Sequence, residues 1–201
     1  MWRCLFMKVS IIGYGRMGSA IAKALVKGIG RGTVTAYDTK RIGGKAAAKD
    51  KVRVAASAEK AVRPGSIVFF CVKPNALEPV LSGLKKELPG KIVVSIAAGK
   101  KINAIRKASG AKKVVRVMPN IAALVASSVN VFACSGLSRA EKKRVSKVLS
   151  VFGAAIEMKE SMFDAVTGVS GSGPAFAAYF IESLADAGKA AGLKEKDAGK
   201  L

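Results

Sequence analysis

Val9-Ser10-Ile11-Ile12-Gly13-Tyr14-Gly15-Arg16-Met17-Gly18 decides how this chain folds. An apolar run feeds a G-x-G-x-x-G loop, and an alanine-rich helical pattern leaves it over residues 19–27. In that context Gly13 permits the tight turn, Gly15 lets the backbone approach a pyrophosphate, and Gly18 lets the helix pack against its strand. Tyr14, Arg16 and Met17 complete the loop, whose phosphates would rest on the helix N-terminus. The next strand-like run, residues 33–37, ends at Asp38, twenty positions after Gly18, where a ribose-binding carboxylate is expected. The stretch reads as a dinucleotide site.

The 201 residues, half of them hydrophobic, suffice for one full domain and a smaller piece. No apolar run approaches a membrane span, and residues 1–6 lack the features of a signal peptide, so a cytoplasmic protein without membrane contact is expected. Met7 is a second possible start, and residues 1–6 have no legible role. The three cysteines, Cys4, Cys71 and Cys134, are far apart and odd in number, which offers neither a disulfide framework nor a metal motif. There is no histidine, so the commonest general base and metal ligand are missing and the chemistry must come mostly from a cofactor. The net charge is +22, and its excess is local: residues 1–116 carry 25 Lys/Arg against 5 Asp/Glu, residues 117–201 carry 10 against 8. A basic nucleotide half suits an anionic cofactor, and binding to nucleic acid is expected to be nonspecific only.

Along the chain, strand and helix patterns alternate. Residues 39–50 read as a loop and short helix, 52–54 as a short strand, and 57–62 as a capped helical turn or two. The clearest buried strand is 67–72, in which Cys71 reads as a core residue. Lys73-Pro74 stops it and sets up a helix over 76–88. A second continuous apolar run, 91–96, is followed by Ala97-Ala98-Gly99, small residues that leave room for a nicotinamide ring at the sheet's carboxyl edge. A helix over 102–109, strands over 113–117 and 128–133, and a helix from Ser138 with a Ser138/Glu141 capping box complete the pattern. The expectation is a Rossmann-like, doubly wound α/β domain with a mostly parallel sheet over residues 1–158. The start of an all-α domain follows over residues 159–201, to which the family likeness given next assigns substrate and oligomerisation roles.

That second part opens with Ser170-Gly171-Ser172-Gly173-Pro174, read as the start of a long helix with unpaired N–H groups sized for a carboxylate. The helix, residues 175–191, is apolar nearly all round and should be buried in a bundle or against another subunit.

These residues resemble the pyrroline-5-carboxylate reductases. The likeness runs from Met7 through Gly13-x-Gly15-x-x-Gly18, Val72-Lys73-Pro74, Ala97-Ala98-Gly99 and Arg116-Val117-Met118-Pro119-Asn120. It is most specific in Asp164-Ala165-Val166-Thr167-Gly168, Ser170-Gly171-Ser172-Gly173-Pro174-Ala175 and Leu184-Ala185-Asp186-Ala187-Gly188. The resemblance implies reduction of 1-pyrroline-5-carboxylate to L-proline, the last step of proline biosynthesis, with NADPH or NADH, by a homodimer or higher homo-oligomer joined through its C-terminal helices. It also implies that Cys71, Val72, Lys73, Pro74, Ala97, Ala98 and Gly99 line the cofactor, and that Ser170, Gly171, Ser172 and Gly173 hold the substrate carboxylate. Ser57 and Asn120 are further candidate cofactor contacts. Asp38 favours NADH, whereas Thr39, Lys40 and Arg41 can hold the extra phosphate of NADPH, so dual use is expected.

Three departures stand out. After Asn120 the family usually continues Thr-Pro-Ala, where this chain has Ile121-Ala122-Ala123. Tyr179 stands where some members carry a threonine proposed to contact the imine, so Tyr179, a backbone group and solvent are all candidate proton sources. Family members continue past Leu201 through more helices, so the chain reads as truncated. Two rival readings are a β-hydroxyacid-dehydrogenase-like oxidoreductase, which needs a helix lysine that here comes only at Lys189, and a truncated, non-catalytic protein binding a dinucleotide or nucleic acid.

Overall fold

Strands that are apolar on both sides require a sheet covered on both faces, and the chain builds one. The computed structural model describes residues 7–40 and 49–201. Arg41, residues 1–6 and most of the expected short helix after Thr39 lie outside the described residues. In chain order the first half comprises β1 (Val9–Ile12), α1 (Arg16–Ile29), β2 (Val34–Tyr37), β3 (Arg53–Val54), α2 (Ala58–Val62), β4 (Ile67–Phe70), α3 (Pro74–Gly83), β5 (Ile92–Ser95) and α4 (Ile102–Ser109). The second half comprises β6 (Lys113–Met118), β7 (Ser128–Ser135), α5 (Arg139–Leu149), β8 (Gly153–Glu157), α6 (Phe163–Val166), α7 (Gly173–Ala190) and α8 (Glu195–Ala198).

The eight strands lie in the order β3-β2-β1-β4-β5-β6-β7-β8. From β3 to β6 every pairing is parallel; β7 runs antiparallel to β6, and β8 is parallel to β7. The chain winds one way from β1 to β2 and β3, then returns to the other side of β1 as β4, so the switch point falls between β1 and β4. This is the Rossmann-like doubly wound sheet that the sequence predicts.

Because side chains alternate across a strand, each apolar run supplies two cores. Ile11, Phe69, Val94 and Val115 face α1 and α5, where Phe69 meets Phe152 edge-to-face at 6.4 Å. Ile12, Val68, Phe70, Val93 and Val114 face α2, α3 and α4. The capping box that opens α5 is present, with Ser138 Oγ accepting from the Glu141 N–H and the Glu141 carboxylate accepting from the Ser138 N–H.

Several boundaries differ from the sequence reading, two elements most clearly. The strand expected over 67–72 ends at Phe70, and the helix expected over 76–88 is α3, beginning at Pro74 and ending at Gly83. Pro79 removes one helical donor and Gly83 is a poor helix former, so the chain continues to Leu88 in isolated turns. Beyond β8, Phe163 and Val166 of α6 pack into the second core. Among the described residues no helix is long and apolar enough to cross a membrane.

Candidate functional site: a nucleotide cleft and a wide helical turn

The three glycines of the loop have separate jobs. Gly13 has φ +96, and a Cβ there would stand 2.6 Å from the Cys71 carbonyl oxygen, so the close approach of the chain leaving β1 to the chain leaving β4 needs a bare backbone. A Cβ on Gly18 would collide with the Gly13 carbonyl. A Cβ on Gly15 would meet nothing within 4 Å, because Gly15 faces open space at the start of α1. That helix has no side-chain cap and no acid in its first turn, which leaves its first N–H groups available to an anion. The backbone at Gly15, Arg16 and Met17 therefore suits a pyrophosphate. The side chains of Tyr14 and Met17 instead pack against the first core.

Asp38 and Tyr14 brace this loop. The Tyr14 N–H donates to Asp38 Oδ2 at 2.6 Å and the Lys40 N–H donates to Oδ1 at 2.8 Å. The Tyr14 hydroxyl donates to Asp50 Oδ2 at 3.0 Å, and burial, with this bond second, raises its pKa. Tyr14 thus spends both its donors, N–H and O–H, on the protein.

At the β1/β4 switch point opens a cavity of about 600 Å³. Its walls include Gly13, Gly15, Asp38, Thr39, Lys40, Cys71, Val72 and Lys73 from the sequence candidates. They also include residues the sequence reading missed: Ala58 and Glu59 of α2, and Asn75, Ala76, Val80 and Gly83 of α3, with Leu84 just after it. These helices follow β3 and β4, and only the strand order, which returns β4 to the side of β1, brings them to the cleft. Burial pushes the Cys71 thiol up to about 12, which keeps it protonated and unreactive. Pro74 is the first residue of α3. Ser57 is the N-cap of α2, its hydroxyl accepting from the Lys60 N–H at 3.3 Å, and it is not among the cavity's walls. Ala97, Ala98 and Gly99 follow β5, one strand further along the same edge and outside those walls.

The expected second site departs from the sequence reading. Ser170, Gly171, Ser172 and Gly173 do not open a helix: α6 already runs through Phe163–Val166, and the chain passes through a π-helical turn, Thr167–Gly171, before continuing as α7. The Ser172 N–H is not free but donates to the Thr167 carbonyl at 2.9 Å. The reason lies at Pro174, which has no N–H to give the Ser170 carbonyl. Asn120 replaces that donor: its Nδ2 donates to the Ser170 carbonyl at 3.2 Å, and its Oδ1 accepts from the Ala122 N–H at 3.2 Å. Asn120, expected at the cofactor, is thus committed to the wide turn. The Ser170 Oγ is buried with no hydrogen-bond partner among the described residues.

The long helix, expected to be buried, is exposed in the single chain. Phe176, Phe180, Ile181 and Leu184 all face solvent, and Tyr179 is 73% exposed. Lys189 pairs with Asp186 of the same helix at 2.6 Å. Among the described residues no group of three or more His, Cys, Asp or Glu could hold a metal ion.

Two family models match the chain. Residues 8–99 fit the one described as NADP oxidoreductase coenzyme F420-dependent, and residues 160–201 fit the one for pyrroline-5-carboxylate reductase dimerisation. The chain is 37% identical to a pyrroline-5-carboxylate reductase of Arabidopsis thaliana, covering 92% of this chain and 69% of that protein. It is 38% identical to one of Methanosarcina acetivorans, over 95% and 73% respectively. Among solved structures, Plasmodium falciparum pyrroline carboxylate reductase with NADP bound superposes with a TM-score of 0.88 at 30% identity, covering 96% of this chain and 73% of that one.

Proposed function

The chain belongs to the pyrroline-5-carboxylate reductase family, and from that premise we propose that it reduces 1-pyrroline-5-carboxylate to L-proline with NADPH or NADH. One observation carries the reading. Within one fold, a nucleotide cleft with an open Gly15 stands at the carboxyl edge of the sheet, and the end of β6 on that edge is tied through Asn120 to the wide turn at Ser170.

The nicotinamide nucleotide supplies the hydride when bound. Gly15 and the first N–H groups of α1 receive its pyrophosphate, Thr39 and Lys40 flank its ribose end, and Cys71, Val72 and Lys73 line the cleft on the other side of the glycine loop. Ala97, Ala98 and Gly99 leave room for its ring. The Ser170 hydroxyl, buried with no partner among the described residues, and the Ser172 hydroxyl orient the substrate carboxylate. In the reaction the imine carbon gains a hydride, the C=N π bond breaks, and the nitrogen gains a proton. A protonated imine is already an electrophile, so the protein has mainly to position it, which agrees with a chain that has no histidine. Tyr179 is one candidate proton donor; solvent and a backbone group are the others.

This reading treats residues 1–158 as the nucleotide domain and 159–201 as part of the helical domain, with a second copy covering the apolar surface of α7. It places the enzyme in the cytoplasm, in keeping with free thiols at Cys71 and Cys134. The β-hydroxyacid-dehydrogenase reading is not favoured, since Lys189 lies at the far end of α7 in an ion pair with Asp186.

The test is turnover of the cyclic imine by the purified chain, followed by nucleotide oxidation and proline formation, beside nucleic-acid binding at physiological salt. Proline formation without tight nucleic-acid binding is expected. A chain that binds the nucleotide and forms no proline would overturn the reading.

A further inference from the structure

We infer that Arg116 and Glu160 act as a spacer that fixes the wide turn at a set distance from the nicotinamide end of the cleft, and that both are positioning residues for hydride transfer. The inference rests on the proposed reaction. Glu160, three residues past the end of β8, uses one carboxylate oxygen twice: Oε1 accepts from the Ile102 N–H at 2.7 Å and from Arg116 Nη1 at 3.2 Å. Ile102 is the first residue of α4, three positions after Gly99, and α4 has no side-chain cap of its own. Glu160 therefore caps α4 from a distant part of the chain and marks where the Ala97-Ala98-Gly99 loop must end.

Arg116 belongs to β6, and its side chain is 6% exposed. Its guanidinium lies 4.5 Å from the centre of the Phe163 ring, at the first residue of α6. The segment from Glu160 to Ser170 is thus held at two points by residues four apart on one stretch of chain: at its start by Arg116, and at its end by Asn120. Phe163 and Val166 anchor the middle of the segment in the second core, and the two polar ties fix where its start and its end lie relative to β6. Stability alone does not call for a buried arginine here, since such pairs are often replaced by apolar residues without loss. A fixed spacing does call for it, because an ion pair has a preferred direction and length.

The experiment uses the full chain in its own oligomeric state and two kinds of readout. In Glu160→Ala, amide exchange at Ile102 and at residues 167–173 should both quicken by about tenfold while β1 and β4 stay protected. Glu160→Gln keeps an acceptor for Ile102 and loses the charge facing Arg116, so residues 167–173 alone should quicken. Exchange at residues 167–173 that matches the parent in both variants would overturn the spacer. In turnover, Glu160→Ala and Arg116→Met, which keeps the packing on Phe163, should lower kcat by about 10²-fold. Their nucleotide Kd should remain at the parent value, and the isotope effect from a deuterated nicotinamide should rise. Arg116→Lys should recover most of the rate. An equal loss of nucleotide affinity would show general loosening and refute the assignment. If the parent itself forms no proline, the proposed function fails, while the exchange experiment still judges the spacer.

Discussion

The Asp38 carboxylate and the Tyr14 backbone N–H meet at 2.6 Å, so the acid expected at a ribose also holds the glycine loop in place. Its other oxygen takes the Lys40 N–H. Asp38→Ala should therefore weaken both nucleotides by about tenfold, because two N–H groups lose their acceptor and the loop loosens. NADH should lose more than NADPH, since only the diphosphate nucleotide lacks a phosphate that Thr39 and Lys40 can hold. Titration of nicotinamide fluorescence measures both constants; parent affinity for both would show that the brace has no bearing on binding.

Gly15 and Gly13 should respond in opposite ways. A valine at Gly15 points into space where the protein has no atoms, so Gly15→Val should keep the parent Tm and lose nucleotide affinity by about 10²-fold, roughly 2.7 kcal/mol. Gly13→Ala forces a side chain onto a φ of +96 and against the Cys71 carbonyl, and should lower stability by about 2–4 kcal/mol. Calorimetry beside nucleotide titration separates the two. A Gly15→Val protein that melts as early as Gly13→Ala would mean that both glycines serve the fold.

The parts legible in the sequence were those set by local pattern. Apolar runs marked β4 and β5, Ser138 and Glu141 marked the start of α5, and α4 has the predicted bounds because Ile102 and Ile105 carry its buried stripe. The walls contributed by α2 and α3 were not legible, since nothing local says that β4 returns beside β1. The wide turn was misread because Pro174 is equally at home at a helix start; only the helical Phe163–Val166 before it turns the same proline into the cause of a widened turn. Glu160 gave no signal, because its partners Ile102 and Arg116 are 58 and 44 residues away.

Acid should loosen the attachment of α5. The Lys113 ammonium, bonded to Glu141 at 2.6 Å, and the Ser138 backbone N–H hold the Glu141 carboxyl at about 2, against an ordinary value of 4.5. A folded-state pKa below the unfolded one gives stability that is present above about pH 4.5 and is lost as pH falls toward 2. Glu141→Gln should therefore cost about 1 kcal/mol at neutral pH, where the capping box and the ion pair are both weakened. That difference should shrink below pH 4.5 and be lost as pH falls through about 2. Urea unfolding at several pH values tests this; a difference that stays constant down to pH 2 would assign the loss to packing.

Gly173 gives the sharpest division between nucleotide and substrate. It follows Ser172 at the exit of the wide turn, and a Cβ there would meet no atom within 4 Å, so a larger residue fits the free protein without strain. If the space beside Gly173 is where the imine carboxylate lies, Gly173→Val should raise KM for the imine by about tenfold or more, through simple exclusion of the ligand. Nucleotide Kd should not move, because none of the cleft's walls comes from residues beyond Leu84. Ser170→Ala offers a companion measurement: it removes a hydroxyl that is buried with no partner among the described residues, so the free protein should be no less stable while imine binding weakens. A Gly173→Val enzyme that keeps the parent KM for the imine and binds the nucleotide less tightly would place the carboxylate elsewhere and return the wide turn to a purely structural role.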